Sequence, residues 1–275
     1  MDVDLGIIYT YEDHFMPPLL ESLARSGDSV SMRLLLVDNA SERGVAPWTG
    51  YFQETQVLCN ASRLGYAENL NLILKASSAR YALLLNTDMV FEPAEQCVAR
   101  MVQFMDQHPE CGVSGCRLYH ADGSDAFPAR RFQSPATIVA RRLGLARWMQ
   151  GTIDTYLYAD RPRDRPLECN WLSGCFLMVR REAVAQVGGL DAGFRKYFED
   201  VDFCLRMALG GWTVLLNDAT YGYHLEQRAS RRLWSRDAWL HLKSYVRFLR
   251  KWGLHPEHKI VRPPFVAPAA PRRAA

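Results

Sequence analysis

The chain has 275 residues, 48% of them hydrophobic and 23% charged, with a formal net charge of +3. That length can bury a sizeable core, the composition is that of a globular protein, and so small a charge makes no case for nucleic acid as the partner. No run reaches the roughly 18 apolar residues of a membrane span, the acidic start Met1-Asp2-Val3-Asp4 is unlike a secretory signal, and the seven cysteines include no Cys-x-x-Cys pair; reduced thiols in a cytoplasmic protein are expected, and a zinc site is not.

Leu5 to Thr10 reads as a first strand running into Tyr11-Glu12-Asp13, and Pro17-Pro18 opens a helix, where proline is tolerated in the first turn. Arg33 to Val37 is a second buried strand ending at Asp38-Asn39-Ala40-Ser41, and Gln56 to Cys59 a short third. Arg63-Leu64-Gly65-Tyr66 leads into a helical run from Leu70 to Lys75; residues 82–86 are a fourth strand, stopped at Asn86-Thr87-Asp88. Glu92 to Gln107 reads as a helix and Cys111 to Cys116 as a strand. Alternating strands and helices predict an α/β fold with a mostly parallel central sheet flanked by helices.

From Tyr119 to Glu168 the periodicity weakens and arginines accumulate; Ala136 to Trp148 suits an amphipathic helix and Arg161 to Pro166 a loop. Asn170 to Arg181 reads as a strand entering a helix at Glu182, which Gly188-Gly189 breaks. Three acids, Glu199, Asp200 and Asp202, open the next helix; Glu199, Asp202 and Arg206 share a face by spacing, and Asp200 points elsewhere. Trp212 to Leu216 is a further strand, followed by Tyr221-Gly222-Tyr223-His224. Residues 234–252 form an amphipathic helix with Trp239, Leu242, Tyr245, Val246 and Leu249 on one face, suited to packing on the domain, to a homodimer, or to peripheral contact with an anionic membrane.

In open α/β sheets ligands bind at the carboxyl ends of the strands. Four successive strands end there in Tyr11/Glu12, Asp38, Asn60 and Asp88. Each has two readings. Asp88 suits a hard divalent cation on a diphosphate, and Asn86 with Asp88 equally suits a turn. Asp38 can accept from a base N–H or ribose hydroxyl, or cap a turn as Asp-x-x-Ser does; Gly65 allows close backbone approach to a ligand, or an ordinary turn. The acids at 199–202 are a helix N-terminus or a cleft base. His224 matters only if Asp88 holds a metal. No Gly-x-Gly-x-x-Gly follows the first strand and no Gly-Lys-Ser/Thr loop is present, which disfavours dinucleotide dehydrogenases and P-loop NTPases.

Taken in order, Ile7-Ile8-Tyr9-Thr10-Tyr11, Leu36-Val37-Asp38-Asn39-Ala40-Ser41, Leu64-Gly65-Tyr66-Ala67 with Asn71, Leu85-Asn86-Thr87-Asp88, Gly174 to Arg181, Gly188-Gly189-Leu190-Asp191 and Tyr197 to Arg206 resemble the family 2 glycosyltransferases of GT-A fold. The subgroup they are most similar to is the non-processive, rhamnosyltransferase-like enzymes of surface polysaccharide synthesis. The resemblance runs from about Leu5 to about Trp252. It implies a glycosyltransferase domain over residues 1–225, with a nucleotide-sugar half to about 118 and an acceptor half after it, a helical extension over 226–255 and a disordered tail over 256–275.

By the same resemblance, Thr10, Tyr11 and Glu12 would border the base, Asp38 would bind base or ribose, and the segment of Gly65, Tyr66 and Asn71 would close over the nucleotide, with Asn86 and Thr87 beside it. Asp88 would hold Mg2+ or Mn2+ on the donor diphosphate with His224, and Asp200 would be the catalytic base with Glu199 as its neighbour. The implied partners are a nucleoside-diphosphate sugar and a glycan or lipid-linked acceptor, the implied place the cytoplasmic face of a membrane, and the implied course inversion at the anomeric carbon. Asn86 departs from the first acid of the family's Asp-x-Asp, and Arg63 stands where asparagine is usual. The rival readings are a sugar-phosphate nucleotidyltransferase, for which a Gly/Lys-rich loop after the first strand is missing, and a catalytically idle binding module.

Overall fold

The computed structural model describes residues 1–142, 144–162, 165–225 and 236–261. In chain order its elements are β1 (Val3–Tyr9), α1 (Met16–Ala24), β2 (Met32–Asp38), β3 (Thr55–Cys59), α2 (Tyr66–Ala76), β4 (Tyr81–Leu85), β5 (Met89–Val90), α3 (Cys97–Gln107), β6 (Cys111–His120), β7 (Ala129–Arg130), α4 (Pro135–Arg142), α5 (Gln150–Tyr156), β8 (Leu167–Glu168), β9 (Trp171–Leu172), β10 (Phe176–Arg180), α6 (Arg181–Val187), α7 (Glu199–Leu209), β11 (Thr213–His224) and α8 (Arg236–Trp252). The sheet runs β3-β2-β1-β4-β10-β6-β11-β5, with β8 also paired to β11; β7 and β9 form a separate two-stranded ribbon.

Strands β3, β2, β1 and β4 are parallel, as the alternating pattern predicts. Beside β4 the sheet takes in β10 antiparallel, Phe176 opposite Leu85. That single reversal puts the residues that precede β10 next to those that follow β4. Side chains alternate across the sheet. Val3, Leu5, Ile7 and Tyr9 pack with α1 and α3 on one face; Leu35, Val37 and Leu84 pack with α2, α6 and α7 on the other. Burying each such side chain stabilises the fold by about 1.5–3 kcal/mol. Gly6 leaves room for α2: a Cβ there would lie 2.4 Å from the Ile73 side chain.

Several boundaries differ from expectation for local reasons. The helix predicted from Glu92 begins at Cys97, because Gln96 takes a left-handed φ of 50° after a 3-10 turn at Pro93–Glu95. The one predicted over Ala136 to Trp148 ends at Arg142, with Gly144 at φ 67° beyond it. The last strand continues past Leu216 through a bulge to His224. Helix α8 packs on the domain. Ala238, Ser244, Tyr245 and Phe248 are buried, and Trp239, Leu242 and Val246 are exposed, so the buried face is rotated from the predicted one. The first residues of the tail expected from 256 form a 3-10 turn, Pro256–Lys259, with Pro256 buried. Residues 226–235 and 262–275, and Arg163 of the basic loop, lie outside the described residues.

Two buried carboxylates tie elements together. Asp202 takes Arg206 Nε at 2.8 Å, Trp252 Nε1 at 2.7 Å and Lys251 Nζ at 2.8 Å, locking α7 to the end of α8. Asp4, fully buried on β1, accepts Arg33 Nε at 2.8 Å from β2 and the Ser77 hydroxyl and the Ser78 and Ala79 amides at 2.8–3.0 Å from the loop before β4. Burial alone raises its pKa, but Arg33 and those loop donors more than offset it and hold it below the usual range. Such a carboxylate contributes stability that is present above its unfolded pKa and lost as pH falls through the depressed native one. Asp4→Ala, which leaves the guanidinium and two amides without their acceptor, is expected to cost about 3–5 kcal/mol, read as a lower urea midpoint, and to flatten the acid side of the stability curve.

Candidate active site

The cleft lies where the carboxyl ends of β1, β2 and β4 face the reversed strand β10. It has a volume of about 660 Å3, and its wall includes Thr10, Tyr11, Glu12, Asn39, Gly65, Tyr66, Asn86, Thr87, Asp88, Glu199, Asp200 and His224. Eleven of the thirteen predicted site residues, Asn86 among them, therefore meet in one place, although they come from five parts of the chain.

Asp88 and His224 are joined by strand pairing. His224 stands opposite Met89, and the Leu225 amide donates to the Asp88 carbonyl at 2.9 Å. His224 Nε2 then sits 2.9 Å from Asp88 Oδ2. The Asp88 carboxylate suits Mg2+ or Mn2+, which bind through few protein ligands and leave positions for phosphate oxygens and water, and a neutral imidazole can serve as a further ligand. The donor set thus fits the expected metal. Asn86, at the first acid's place, is not turned to this pair: its Oδ1 accepts the Tyr66 hydroxyl at 2.8 Å, and that hydroxyl also lies 3.0 Å from the Gly174 carbonyl. Burial first, then the negative charge of Glu199, pushes the Tyr66 pKa well up, so Tyr66 is a fixed neutral donor.

Glu199 and Asp200 open α7. The two residues before them, Tyr197 and Phe198, both have φ 69°, the left-handed region that bulky side chains avoid. Each such residue costs on the order of 1–3 kcal/mol. Phe198 is buried against Tyr245 and Phe248 of α8, which holds this corner in place. The Asp200 carboxylate accepts the Gly174 amide at 3.0 Å and the Val201 amide at 2.9 Å. Burial raises the Asp200 pKa; those amides and the charge of Arg130 pull it partly back, and the net direction is upward. Glu199 is raised by burial and by Asp200, and its Oε2 is buried with no hydrogen-bond partner among the described residues. Asp202 and Arg206 pair with each other as their spacing predicted; Glu199 faces the cleft instead.

Two of the predicted ligand residues are not among those lining the cleft. Asp38 does not line the cleft; its Oδ1 takes the Ser41 amide at 2.8 Å, the turn-capping alternative. Its neighbour Asn39 lines the wall and uses its amide to hold Leu64. Asn71 is also off the wall, its side chain clamped on the Leu190 backbone at 2.7 and 2.8 Å. Gly65 lines the cleft and caps α2, its amide donating to Glu68 at 2.7 Å. Glu12 folds back on the Thr10 and Tyr11 amides at 2.9 Å.

Sequence reasoning missed the wall residues Arg195 and Lys196 and the segment Ser173 to Cys175. The cationic pair just before the acids was a usable signal; the 173–175 segment was not, because it reaches the cleft only through the antiparallel placement of β10.

A second cavity, of about 190 Å3, adjoins the first and shares Ser173, Cys175, Tyr197, Glu199, Asp200 and His224 with it. The acids thus stand between two chambers, one bordered by the metal-type pair and the strand ends, the other by the β7–β9 ribbon and α8.

The profile of the family described as Glycosyl transferase family 2 matches residues 7–188. The N-acetylglucosaminyl-diphospho-decaprenol L-rhamnosyltransferase of Mycobacterium tuberculosis is 27% identical over 230 residues, which cover 78% of this chain and 73% of that protein. Rhamnosyltransferase WbbL of Escherichia coli K12 is 34% identical over 82 residues, 30% of this chain and 31% of that one. Among solved structures, the Pyrobaculum calidifontis mannosyltransferase PcManGT, in complex with GDP-Man and Mn2+, superposes with a TM-score of 0.63 at 16% identity, covering 94% of this chain and 69% of its own. GalNAc-T7 with UDP, GalNAc and Mn2+ gives 0.64 at 14% identity, covering 92% and 48%. The expected GT-A architecture is therefore the one observed, and the chain belongs to glycosyltransferase family 2.

Proposed function

We propose that this glycosyltransferase moves a sugar, with inversion, from a nucleoside-diphosphate sugar to a hydroxyl of a lipid-linked glycan in surface polysaccharide synthesis. The observation that carries the reading is the placement of Asp200 across one cleft from the Asp88–His224 pair. The nucleotide lies over the strand ends, with Tyr11 at the mouth against the base and Asn39 and Gly65 along it. Asp88 and His224 would hold Mg2+ or Mn2+, which when bound would offset charge on the departing diphosphate. Arg195 and Lys196 add positive charge to the same wall. Asp200 takes the proton of the acceptor hydroxyl as that oxygen attacks the anomeric carbon in line with the leaving group. One base with no covalent nucleophile gives inversion. Glu199, dry and beside Asp200, keeps its own proton and so adds no second charge beside the base. The first acceptor to try is an N-acetylglucosaminyl diphospholipid, by the name of the mycobacterial relative.

A base works only when ionised, and burial raises the Asp200 pKa. The acid limb of kcat is therefore expected above the ordinary aspartate value of about 4. Asp200→Asn should lower kcat by about 10²–10⁴-fold while donor affinity, measured by calorimetry, is kept; turnover at the wild-type rate would remove Asp200 from the role of base. The stability contribution of an acid with a raised native pKa is present below its unfolded pKa and lost as pH rises through the native one. The same variant should accordingly show no loss of thermal midpoint at pH 8.

Peripheral membrane contact is part of this reading. No described helix is long and apolar enough to cross a membrane. Helix α8, however, exposes Trp239 (68%), Leu242 (43%) and Val246 (37%) beside exposed Lys243 and Arg250, a combination that favours an anionic lipid surface. Its His241 lines the second cavity, so the stripe stands beside that cavity's wall. The protein should sediment with anionic vesicles and less with zwitterionic ones, and Trp239→Ser should release it; protein left wholly in the supernatant would count against the contact.

A further inference from the structure

After helix α8 the chain carries a cluster that neither cavity uses. Gly253 follows the helix at φ 86°, and His255 stands immediately before the 3-10 turn Pro256–Lys259. Three residues complete one turn of a 3-10 helix, so side chains at i and i+3 lie one above the other. His258 is accordingly stacked on His255: the rings are parallel within 14°, their centroids are 5.2 Å apart, and the His258 amide donates to the His255 carbonyl at 3.2 Å. Buried Pro256 and Ile260, which packs against the core, pin the turn to the domain.

Glu257 completes the cluster. Its Oε1 lies 3.3 Å from His255 Nδ1, and its Oε2 is shut off from water with no hydrogen-bond partner among the described residues. One donor atom from each of the three side chains lies within 4.8 Å of the other two. A surface ion pair would account for the first contact alone. It leaves the dry carboxylate oxygen unmatched, which is costly, and it leaves two stacked imidazoles that would repel if both were protonated. A divalent cation accounts for both, because it binds the carboxylate and the unprotonated ring nitrogens together. Ligand atoms about 2.0–2.2 Å from a tetrahedral zinc stand roughly 3.3–3.5 Å apart. The contact between Glu257 and His255 has that spacing, and the exposed His258 reaches it by turning its ring.

We propose that His255, Glu257 and His258 form a metal-ion site, separate from the cleft, that takes Zn2+ in preference to Mg2+ or Mn2+. Two imidazoles and one carboxylate are a zinc donor set, with the fourth position left to water. Imidazole nitrogen favours zinc over the harder cations that an oxygen-rich diphosphate site holds. No thiolate takes part, in keeping with cysteines that form no Cys-x-x-Cys pair. None of the three residues lines either cavity, so the site stands independently of the proposed reaction. Its place in the fold gives it a structural task. Lys259 of the same turn lies over the Trp252 ring, 5.8 Å from the centroid, and Trp252 Nε1 donates to Asp202 of α7 at 2.7 Å. A bound ion clamps the turn that backs this lock.

The test is calorimetric titration of Zn2+ into chelator-stripped protein in an excess of Mg2+. Asp88→Ala, which removes the metal ligand of the cleft, should still bind one equivalent of Zn2+. Adding His258→Ala to it should weaken that binding by more than the about 10–100-fold that loss of an outer-shell partner costs, and adding Glu257→Gln should weaken it at least about tenfold. His258→Ala alone should bind one equivalent fewer than wild type. These side chains are exposed or half-exposed, so the variants should keep the wild-type circular dichroism and metal-free thermal midpoint. Co2+ in place of Zn2+ should give the visible bands of a four-coordinate ion with no thiolate charge-transfer band. The inference is overturned if Asp88→Ala takes up no Zn2+, or if His258→Ala leaves the stoichiometry and affinity as they were. It is equally overturned if the Co2+ spectrum shows thiolate ligation, which would place the ion on the cysteines.

Discussion

Three carboxylates, Asp88, Glu199 and Asp200, are gathered in a cleft that keeps most of them from water. Like charges in a low dielectric repel by several kcal/mol at close range, so the rest of the site can be understood as what makes that gathering tolerable. His224 stands against Asp88, two amides and Arg130 act on Asp200, and Lys196 lowers the charge cost at Glu199. What remains is upward pressure on both pKa values at the start of α7, which is the condition a base needs in order to accept a proton near neutral pH. On the proposed reading, a substrate that brings a divalent cation would complete the balance.

The scaffold fixes these groups by means that lie outside the cleft. The corner at Tyr197 and Phe198 stores backbone strain, and it persists because Phe198 is packed under α8 while Asp202 binds Arg206, Lys251 and Trp252. Helix α8 therefore supports the site from behind: it anchors the helix that presents Asp200, the proposed base, and also lends His241 to the wall of the second cavity. The reversed strand β10 has a comparable effect on the other wall, since the turn before it supplies the Gly174 amide to Asp200 and the Gly174 carbonyl to Tyr66.

Much of this was legible in the sequence because the signals were local. Buried strands announce themselves as short apolar runs, and parallel pairing delivers their ends to one crevice, so Asp88 and the Thr10–Glu12 segment could be placed without knowing any contact. What the sequence could not show was non-local. Asp38 sits at the right strand end, but its Oδ1 holds the Ser41 amide while Asn39 lines the cleft; a one-residue difference is invisible to periodicity. Asn71 belongs to a persuasive motif yet serves as a clamp on Leu190, 119 positions away. Arg130 looked like one more solvated arginine in a weakly patterned stretch, and only its pairing with Trp171, across a ribbon of two residues per strand, brings it near the base. The face of α8 was misjudged because Trp239 and Leu242 are as apolar as the residues that are actually buried, and amphipathicity alone does not say which apolar stripe meets the core.

The central claim is that the cleft is a metal-dependent site for a nucleoside diphosphate with Asp88 as a ligand. Titrating UDP, dTDP, GDP and CDP into wild type and Asp88→Ala by calorimetry, with Mn2+ and with chelator, tests it most directly. The account predicts that one nucleotide binds wild type in the presence of Mn2+, and that chelator or the Asp88→Ala change weakens it at least about tenfold. Equal affinity with and without metal, unchanged in the variant, would contradict it.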